Sequence, residues 1–304
     1  MKITRRSLLK HGVAGLGVSA LAPVNWLHAS AQLGGMQIDT LSDGSLTLPF
    51  DFMFGGMPQD ELETIIDSYN INRDAYTPDC NITLLRHEDR VVLFDAGAGP
   101  DFQSSAGQLW QALEMANLDP GDVTHLVFTH AHPDHLWGVI DDFDEPMFYN
   151  ATHLIGRTEW DYWMNPETVD EIGVDRASFA VGAKRRLEIV EGVMDFIDDG
   201  QEVLPGVMAH ASFGHTPGHM SFELRDGSES LMIVGDSIGN YHVAFERPDW
   251  ASGSDQDPET AASARSRLLD KITADQMALI GYHLPFPGIG HAERNGDGYR
   301  FVAS

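Results

Sequence analysis

Residues 129–135 read Thr129-His130-Ala131-His132-Pro133-Asp134-His135 and place three imidazoles and two further polar side chains in one short stretch. So dense a group of nitrogen and oxygen donors is typical of a metal site. The apolar run 126–128 before it predicts a buried strand, which Pro133 cannot continue. The cluster is therefore expected where a strand becomes a loop, a usual place for catalytic groups. A His-rich surface loop is the alternative, and further ligands downstream argue against it.

Three further candidate groups lie downstream, each near the end of a predicted element. The loop 214–219 reads GHTPGH, Asp236 follows the predicted strand 231–235, and His283 follows the predicted strand 277–280. A site for two metals needs a ligand shared between them, and a carboxylate can hold two cations about 3.5 Å apart. Asp236 is the candidate for that shared ligand.

The remaining candidates divide into two sets of three. One metal would take His130, His132 and His215, and the other would take Asp134, His135 and His283. All of these residues offer nitrogen or oxygen, which predicts two divalent ions per chain; Zn²⁺ suits them best, and Mn²⁺, Co²⁺ or Fe²⁺ are also compatible. The GHTPGH loop contains a second histidine, His219, and spacing alone does not choose between it and His215.

Composition limits both the architecture and the partners. The chain has 304 residues, a net charge of −27 and one cysteine, Cys80. The single cysteine excludes an intramolecular disulfide and a site built from several thiolates. The strong negative charge repels polyanions, so it argues against a nucleic-acid partner and favours a small neutral substrate.

The N-terminus predicts an export signal. Arg5-Arg6 is followed by a Gly- and Ala-rich apolar stretch and then by Ala29-Ser30-Ala31, which matches a twin-arginine signal with a small-residue cleavage site. The stretch 12–22 is too short to span about 30 Å of hydrocarbon. We therefore expect residues 1–31 to be removed, no membrane span in the mature chain 32–304, and a periplasmic or secreted protein delivered by the twin-arginine machinery.

The rest of the chain alternates strand and helix patterns. Residues 37–41 and 45–48 predict a hairpin with a turn at 42–44, and the spacing predicts helices over 158–164, 175–190 and 258–272. No linker composition interrupts 32–304. The simplest architecture is one α/β domain in which two mixed sheets pack face to face with helices outside.

These motifs resemble the metallo-β-lactamase superfamily, whose HxHxDH signature matches residues 130–135 and whose downstream His, Asp and His match as well. Within it the chain looks like the methyl parathion hydrolase branch, through LSDGSLTLP at 41–49, GHTPGH at 214–219, HLPFPGIGH at 283–291 and GYRFV at 298–302. Quorum-quenching lactonases share much of this ligand set. The resemblance implies an αββα sandwich, a dimetal hydrolase and, in many members, a homodimer.

The resemblance also assigns roles to individual residues. It favours His215 as the ligand and leaves His219 a supporting role beside the site. It implies that Asp95 and Gly97 support the site from below, and that Phe102, Trp163 and Phe179 line an apolar substrate pocket, for which ordinary core packing is the alternative. A structural role is expected for the other histidines His153, His210, His242 and His291.

The expected chemistry is hydrolysis by a hydroxide held between two cations, because divalent metals lower the pKa of water from 15.7 toward about 7. Asp134 or Asp236 would then move a proton to the leaving group. An ester, a lactone or a phosphotriester with an apolar group is the expected substrate, and an acyl-homoserine lactone is the named alternative. An iron-dependent oxidoreductase on the same scaffold is a remote alternative, which metal content near one iron per chain would favour.

Overall fold

The computed structural model describes residues 29–304. Most of the predicted twin-arginine signal therefore lies outside the described residues. The predicted cleavage position, after Ala31, falls inside the first strand, β1 (Ala29–Leu33), whose residues pair with Met36–Thr40. Cleavage there would leave two residues of β1 on the mature chain.

The first sheet contains seven strands in sequential order, β1 to β7. After β1 come β2 (Met36–Ser45), β3 (Asp79–His87), β4 (Arg90–Phe94), β5 (His125–Val127), β6 (Thr152–Gly156) and β7 (Met194–Ile197). The pairs from β1 to β4 are antiparallel, and those from β4 to β7 are parallel. The parallel part explains the apolar runs of β4 and β5, because such strands are covered on both faces.

The second sheet also contains seven strands, in the order β14-β13-β12-β11-β10-β9-β8. They are β8 (Glu202–Leu204), β9 (Val207–Ala211), β10 (Met220–Asp226), β11 (Glu229–Ile233), β12 (Ala278–Ile280), β13 (Ile289–Asn295) and β14 (Gly298–Ala303). Only β11 and β12 pair in parallel. The segment between them contains the helix Pro258–Ala274 and makes the long crossover that a parallel pair requires.

Nine α-helices are described in residues 29–304, and the longest of them pack against the outer faces of the sheets. They are α1 (Phe50–Phe54), α2 (Gln59–Ser68), α3 (Leu109–Met115), α4 (Pro133–Leu136), α5 (Arg157–Met164), α6 (Thr168–Glu171), α7 (Ala177–Val190), α8 (Val243–Glu246) and α9 (Pro258–Ala274). None of these described helices has the length and apolar character needed to cross a bilayer. The predicted helices correspond to α5, α7 and α9.

The apolar core lies in layers between these elements. Phe94 of β4 and Phe222 of β10 meet between the sheets, with ring centroids 5.4 Å apart. Leu93 and Leu126 point to the opposite face, where the first sheet packs against α3, α5 and α7. The alternation follows from the two-residue period of a strand. The predicted αββα sandwich is thus confirmed.

The predicted hairpin at 42–44 is wrong. β2 runs through this segment to Ser45 as one strand beside β3, with a shift of register between Ser42 and Ser45. Gly44 has φ +97° at this irregularity. The turn-like residues 42–44 coincide with this local deviation of the backbone, but the chain does not reverse its direction there.

Asp43 uses that irregularity to hold two loops. Its buried carboxylate accepts hydrogen bonds from the backbone N–H groups of Ala98, Gly107 and Leu109, at 2.7–3.1 Å. Burial raises the pKa of Asp43 to about 6, against the effect of these three donors. The side chain joins β2 to the loop after β4 and to the start of α3.

We expect Asp43→Ala to lower the free energy of unfolding by about 2–4 kcal/mol, because three backbone donors would lose their acceptor. Chemical denaturation of metal-loaded protein would measure the change. Asp89→Ala, which alters an exposed acid, is the matched control and should leave stability within about 0.5 kcal/mol of wild type. Equal stability of the two variants would contradict this role for Asp43.

Candidate metal centre

The HxHxDH segment changes conformation within a few residues. β5 ends at Val127, and α4 begins at Pro133, a position where proline favours a helix start. His130 therefore lies in the connecting loop, His132 is the residue before the helix, and Asp134 and His135 lie in its first turn. This change from extended to helical backbone lets four nearby side chains face one volume.

The first group of ligand-type atoms belongs to His130, His132 and His215. Nδ1 of His132 lies 3.0 Å from Nε2 of His130 and 2.9 Å from Nε2 of His215. Nitrogens bound to one tetrahedral zinc at 2.0–2.1 Å are about 3.3 Å apart, so this spacing is close to that of a shared small cation.

The second group belongs to Asp134, His135, Asp236 and His283. Nε2 of His283 lies 3.2 Å from Oδ2 of Asp134 and 3.2 Å from Oδ2 of Asp236. Nε2 of His135 lies 3.4 Å from Oδ2 of Asp134. All seven side chains of the two groups are buried. The structure brings together every residue predicted as a ligand.

Asp236 faces both groups. Its Oδ1 is 3.2 Å from Nε2 of His135, and its Oδ2 is 3.3 Å from Nε2 of His215 and 4.0 Å from Nε2 of His130. This is the position that a ligand shared by two ions requires.

The protonation states differ between the two groups. Burial lowers the pKa of His130 and of His132 well below the usual range, so both are neutral imidazoles at pH 7, the form that binds metals. Burial opposes charge on Asp236 too, but His283 and His135 outweigh it and hold its pKa well below the usual range. Burial disfavours charge on His135 and His283, but Asp236 and Asp134 outweigh it and raise the pKa of both imidazoles well above the usual range. A cation at the second group would therefore have to displace a proton from each of these two histidines.

Several buried atoms at the centre have no hydrogen-bond partner among the described residues: Asp134 Oδ2, His135 Nε2 and Asp236 Oδ1. A buried polar atom without a partner is costly, and these three belong to residues of the second group. Divalent cations would satisfy all three, because nitrogen and oxygen atoms are ligands that such ions accept. The residues present therefore fit a two-ion centre.

The outer nitrogens of the ligand-type histidines have orienting partners. Nδ1 of His135 lies 2.8 Å from Oδ2 of Asp95, as expected for a residue that supports the site from below. Nδ1 of His283 lies 2.8 Å from the carbonyl oxygen of Asp79. Such partners fix the ring orientation of a metal-binding histidine.

His215 is oriented by a pair that the sequence analysis missed. Its Nδ1 lies 3.0 Å from Oδ1 of Asp255, and Oδ2 of Asp255 accepts a 2.8 Å hydrogen bond from Nη2 of Arg265. Both partners are buried. Arg265 is 10 residues from Asp255 and lies inside α9, so no local spacing in the sequence indicates the pair.

His219 belongs to neither group of ligand-type atoms. Its Nε2 accepts a 3.0 Å hydrogen bond from the backbone N–H of Asp236, and its Nδ1 lies 2.8 Å from the Ser212 hydroxyl. Gly235 has φ +54°, and a Cβ there would lie 2.7 Å from Nε2 of His219. His219 thus supports the backbone of the Gly235-Asp236 turn, the supporting position that the resemblance implied.

Glu159 is a second residue that the sequence analysis missed. Its buried carboxylate accepts hydrogen bonds from Ala131 N–H, Trp163 Nε1, Thr216 Oγ1 and Gly218 N–H, at 2.6–3.0 Å. One side chain of α5 therefore joins the HxHxDH loop to the GHTPGH loop. Its position inside a helix gives no sequence signal for this role.

A cavity of about 90 Å³ opens above the two groups. Phe102 and Phe179 line it as predicted. Trp163 does not; it is buried behind His132, with ring centroids 5.8 Å apart, and donates to Glu159. The prediction for Trp163 is corrected, because its indole serves to pack against a ligand-type histidine.

Residues far apart in sequence complete the apolar wall, which the sequence analysis did not identify. They include Leu46, Leu48, Phe52, Met53 and Tyr76; the charged side chain of Arg176 also lines the cavity. Four histidines were expected to be structural, and none of them belongs to either ligand-type group found in residues 29–304. They are His153, His210, His242 and His291.

The chain belongs to the metallo-beta-lactamase superfamily, whose family model matches residues 76–283. It is 28% identical to metallo-beta-lactamase domain-containing protein 1 of Xenopus laevis over 74% of this chain and 80% of that protein. It is also 36% identical to the N-acyl homoserine lactonase AttM of Azorhizobium caulinodans, over 37% of this chain and only 40% of the lactonase. The superfamily prediction is confirmed.

Solved structures agree with this fold. The dizinc quorum-quenching lactonase AidC matches with a TM-score of 0.86 and 24% identity, over 91% of this chain and 97% of AidC. The hydrolase AbOPH of the beta lactamase superfamily matches with a TM-score of 0.85 and 26% identity, over the same shares of the two chains. The fold is that of metallo-hydrolases which include N-acyl homoserine lactonases.

We expect Asp236→Asn to lose metal and activity together, because a neutral amide no longer offsets the repulsion between two cations. Elemental analysis should show a fall from near two ions per chain to one or fewer, and kcat/KM should fall by at least about a hundredfold. Asp89→Asn, an exposed acid, is the control. Two tightly held ions and normal turnover in Asp236→Asn would refute the shared position of this carboxylate.

Proposed function

We propose that this protein is a dinuclear metal-dependent hydrolase of a neutral lactone or ester that carries an apolar group. One observation carries the proposal: two groups of buried ligand-type side chains, both faced by Asp236, form the floor of a cavity with aromatic walls. The relatives named as N-acyl homoserine lactonases support lactone hydrolysis within this class.

The residues that would hold the ions are His130, His132 and His215 on one side and Asp134, His135 and His283 on the other, with Asp236 between them. Divalent ions bound there supply Lewis acidity, which polarises a carbonyl oxygen and acidifies water. Zn²⁺ fits the mixed nitrogen and oxygen donors, as do Mn²⁺, Co²⁺ and Fe²⁺.

The protein's own groups then position the substrate and move the proton. Phe102, Phe179 and Phe52 hold the apolar part and exclude water. The carboxylates of Asp134 and Asp236 also line the cavity, and we propose that one of them passes the proton released by water to the leaving oxygen. Ring opening of a lactone needs one such transfer.

The substrate preference tests the proposal. We expect kcat/KM of the metal-loaded protein to be well above the buffer rate on dihydrocoumarin and on an N-acyl homoserine lactone, and lower on methyl paraoxon. A higher value on methyl paraoxon would instead support the methyl parathion hydrolase-like branch. Buffer rates on all three substrates, with two ions bound, would contradict hydrolysis of these ester classes.

We also propose that residues 1–31 direct the folded protein through the twin-arginine pathway to the periplasm or the medium. Replacing Arg5 and Arg6 by lysine together should keep the protein in the cytoplasm, because the paired arginines are the recognised feature. Cell fractionation with mass analysis of the N-terminus would measure this. Unchanged fractionation, or a mature N-terminus that retains Arg5, would contradict it.

A further inference from the structure

Arg176 is a cation in the wall of the cavity above the candidate metal centre. It precedes α7 and lines the same cavity as Phe52, Phe179 and the ligand-type residue His132. Its guanidinium lies 5.8 Å from the centroid of the Phe52 ring. A half-buried arginine is unexpected in a cavity that otherwise favours an apolar substrate.

The hydrogen bonds of Arg176 leave part of the guanidinium for a ligand. Nη2 donates to the carbonyl oxygens of Gly253 and Ser254, at 2.7 and 3.1 Å. A guanidinium has five N–H groups, and these two bonds use the pair on Nη2. Within residues 29–304, Nε and Nη1 of Arg176 donate to no protein acceptor. Three N–H donors of a guanidinium fixed by Gly253 and Ser254 can therefore bind a ligand.

Arg176 also has no carboxylate partner. Within the described part of the chain, no acidic side chain lies within ion-pair distance of its guanidinium, although the protein has 46 acidic and 19 basic residues. The acids whose charge acts on Arg176 are Asp255 and Asp175. Asp255 is already engaged by His215 and Arg265. A partly desolvated cation without a counter-ion is costly unless it binds acceptors.

We propose that Arg176 is a specificity-determining residue that binds a second carbonyl oxygen of the substrate, distinct from the one attacked. This inference rests on the proposed function, since it assumes that an ester or lactone lies over the metal centre. The substrate class is then an acylated lactone or ester, whose amide or ester carbonyl lies beside an apolar chain. The carbonyl faces Arg176, and the chain packs on Phe52 and Phe179.

A neutral carbonyl is favoured over a carboxylate on electrostatic grounds. The protein carries a net charge of −27, which repels anions from its surface as a whole. A charge-assisted hydrogen bond from a guanidinium to a carbonyl needs no anion. A fixed arginine thus selects for a polar acceptor without attracting a charged ligand into an acidic surface.

The test is a matched pair of non-hydrolysable lactams, one with an N-hexanoyl amide and one with an alkyl chain of equal length. Calorimetry on the metal-loaded protein would give Kd for each. We expect Arg176→Met to weaken the amide-bearing lactam about ten- to a hundredfold and the alkyl lactam less than about threefold. The corresponding lactones should show the same split, mainly in KM.

Two variants control the comparison. Arg185→Met alters an exposed arginine of α7 that pairs with Asp144, and it should change neither affinity. Arg176→Lys keeps the charge but not the planar fork, so it should recover only part of the amide preference. Unfolding temperature and metal content would be measured for each variant.

The outcomes separate this inference from the proposed function. An equal loss for both lactams would overturn it, because Arg176 would then only anchor the segment around Gly253. Tighter binding of hexanoate than of either lactam, lost in Arg176→Met, would also overturn it in favour of an anion. Absence of lactam binding by wild type would do the same. Arg176-dependent discrimination between lactams without turnover of the lactones would support it while refuting the proposed hydrolysis.

Discussion

Burial of seven ligand-type side chains in one place is the constraint that organises this structure. Two carboxylates and five imidazoles share a water-poor volume at one edge of both sheets. Without compensation, desolvation of the acids would be prohibitive, since an isolated buried charge costs several kcal/mol or more. Cations offset that cost directly. The unpartnered oxygens of Asp134 and Asp236 are the part of the arrangement that protein hydrogen bonds leave unsatisfied.

The surrounding chain is held by further buried acids. Asp43 fixes the loop after β4, Asp95 fixes Thr129 and His135, and Glu159 joins the loops that contain His132 and His215. Each of these carboxylates accepts several N–H or O–H groups at once, which rigidifies loops that lack regular structure. Precise ligand positions in irregular segments therefore depend on side chains that bind no substrate.

The sandwich architecture and most of the ligand set could be predicted because the signals were local and chemically distinctive, whereas the choice of His215 over His219 rested on the resemblance. HxHxDH, GHTPGH, Gly235-Asp236 and His283 follow strand ends, and strand ends meet at one edge of a sandwich. The residues that were missed contact partners that lie far from them in the sequence. Asp255, Arg265 and Glu159 are ordinary polar residues in a loop and in helices, and only the folded chain brings them to His215 and Ala131. The pocket role of Trp163 was taken from the resemblance, which does not show that its indole packs behind His132 and donates to Glu159. The turn signal at 42–44 marks an irregularity in β2, which stays paired with β3.

Both sheets contribute ligand-type residues to the centre. His130, His132, Asp134 and His135 follow β5 of the first sheet, whereas His215, Asp236 and His283 belong to loops of the second. An ion bound by either group would therefore cross-link the two sheets, because each group takes ligands from both. Separation of the two sheets would then require release of the ion, so an ion that leaves slowly would slow the unfolding of the loaded protein.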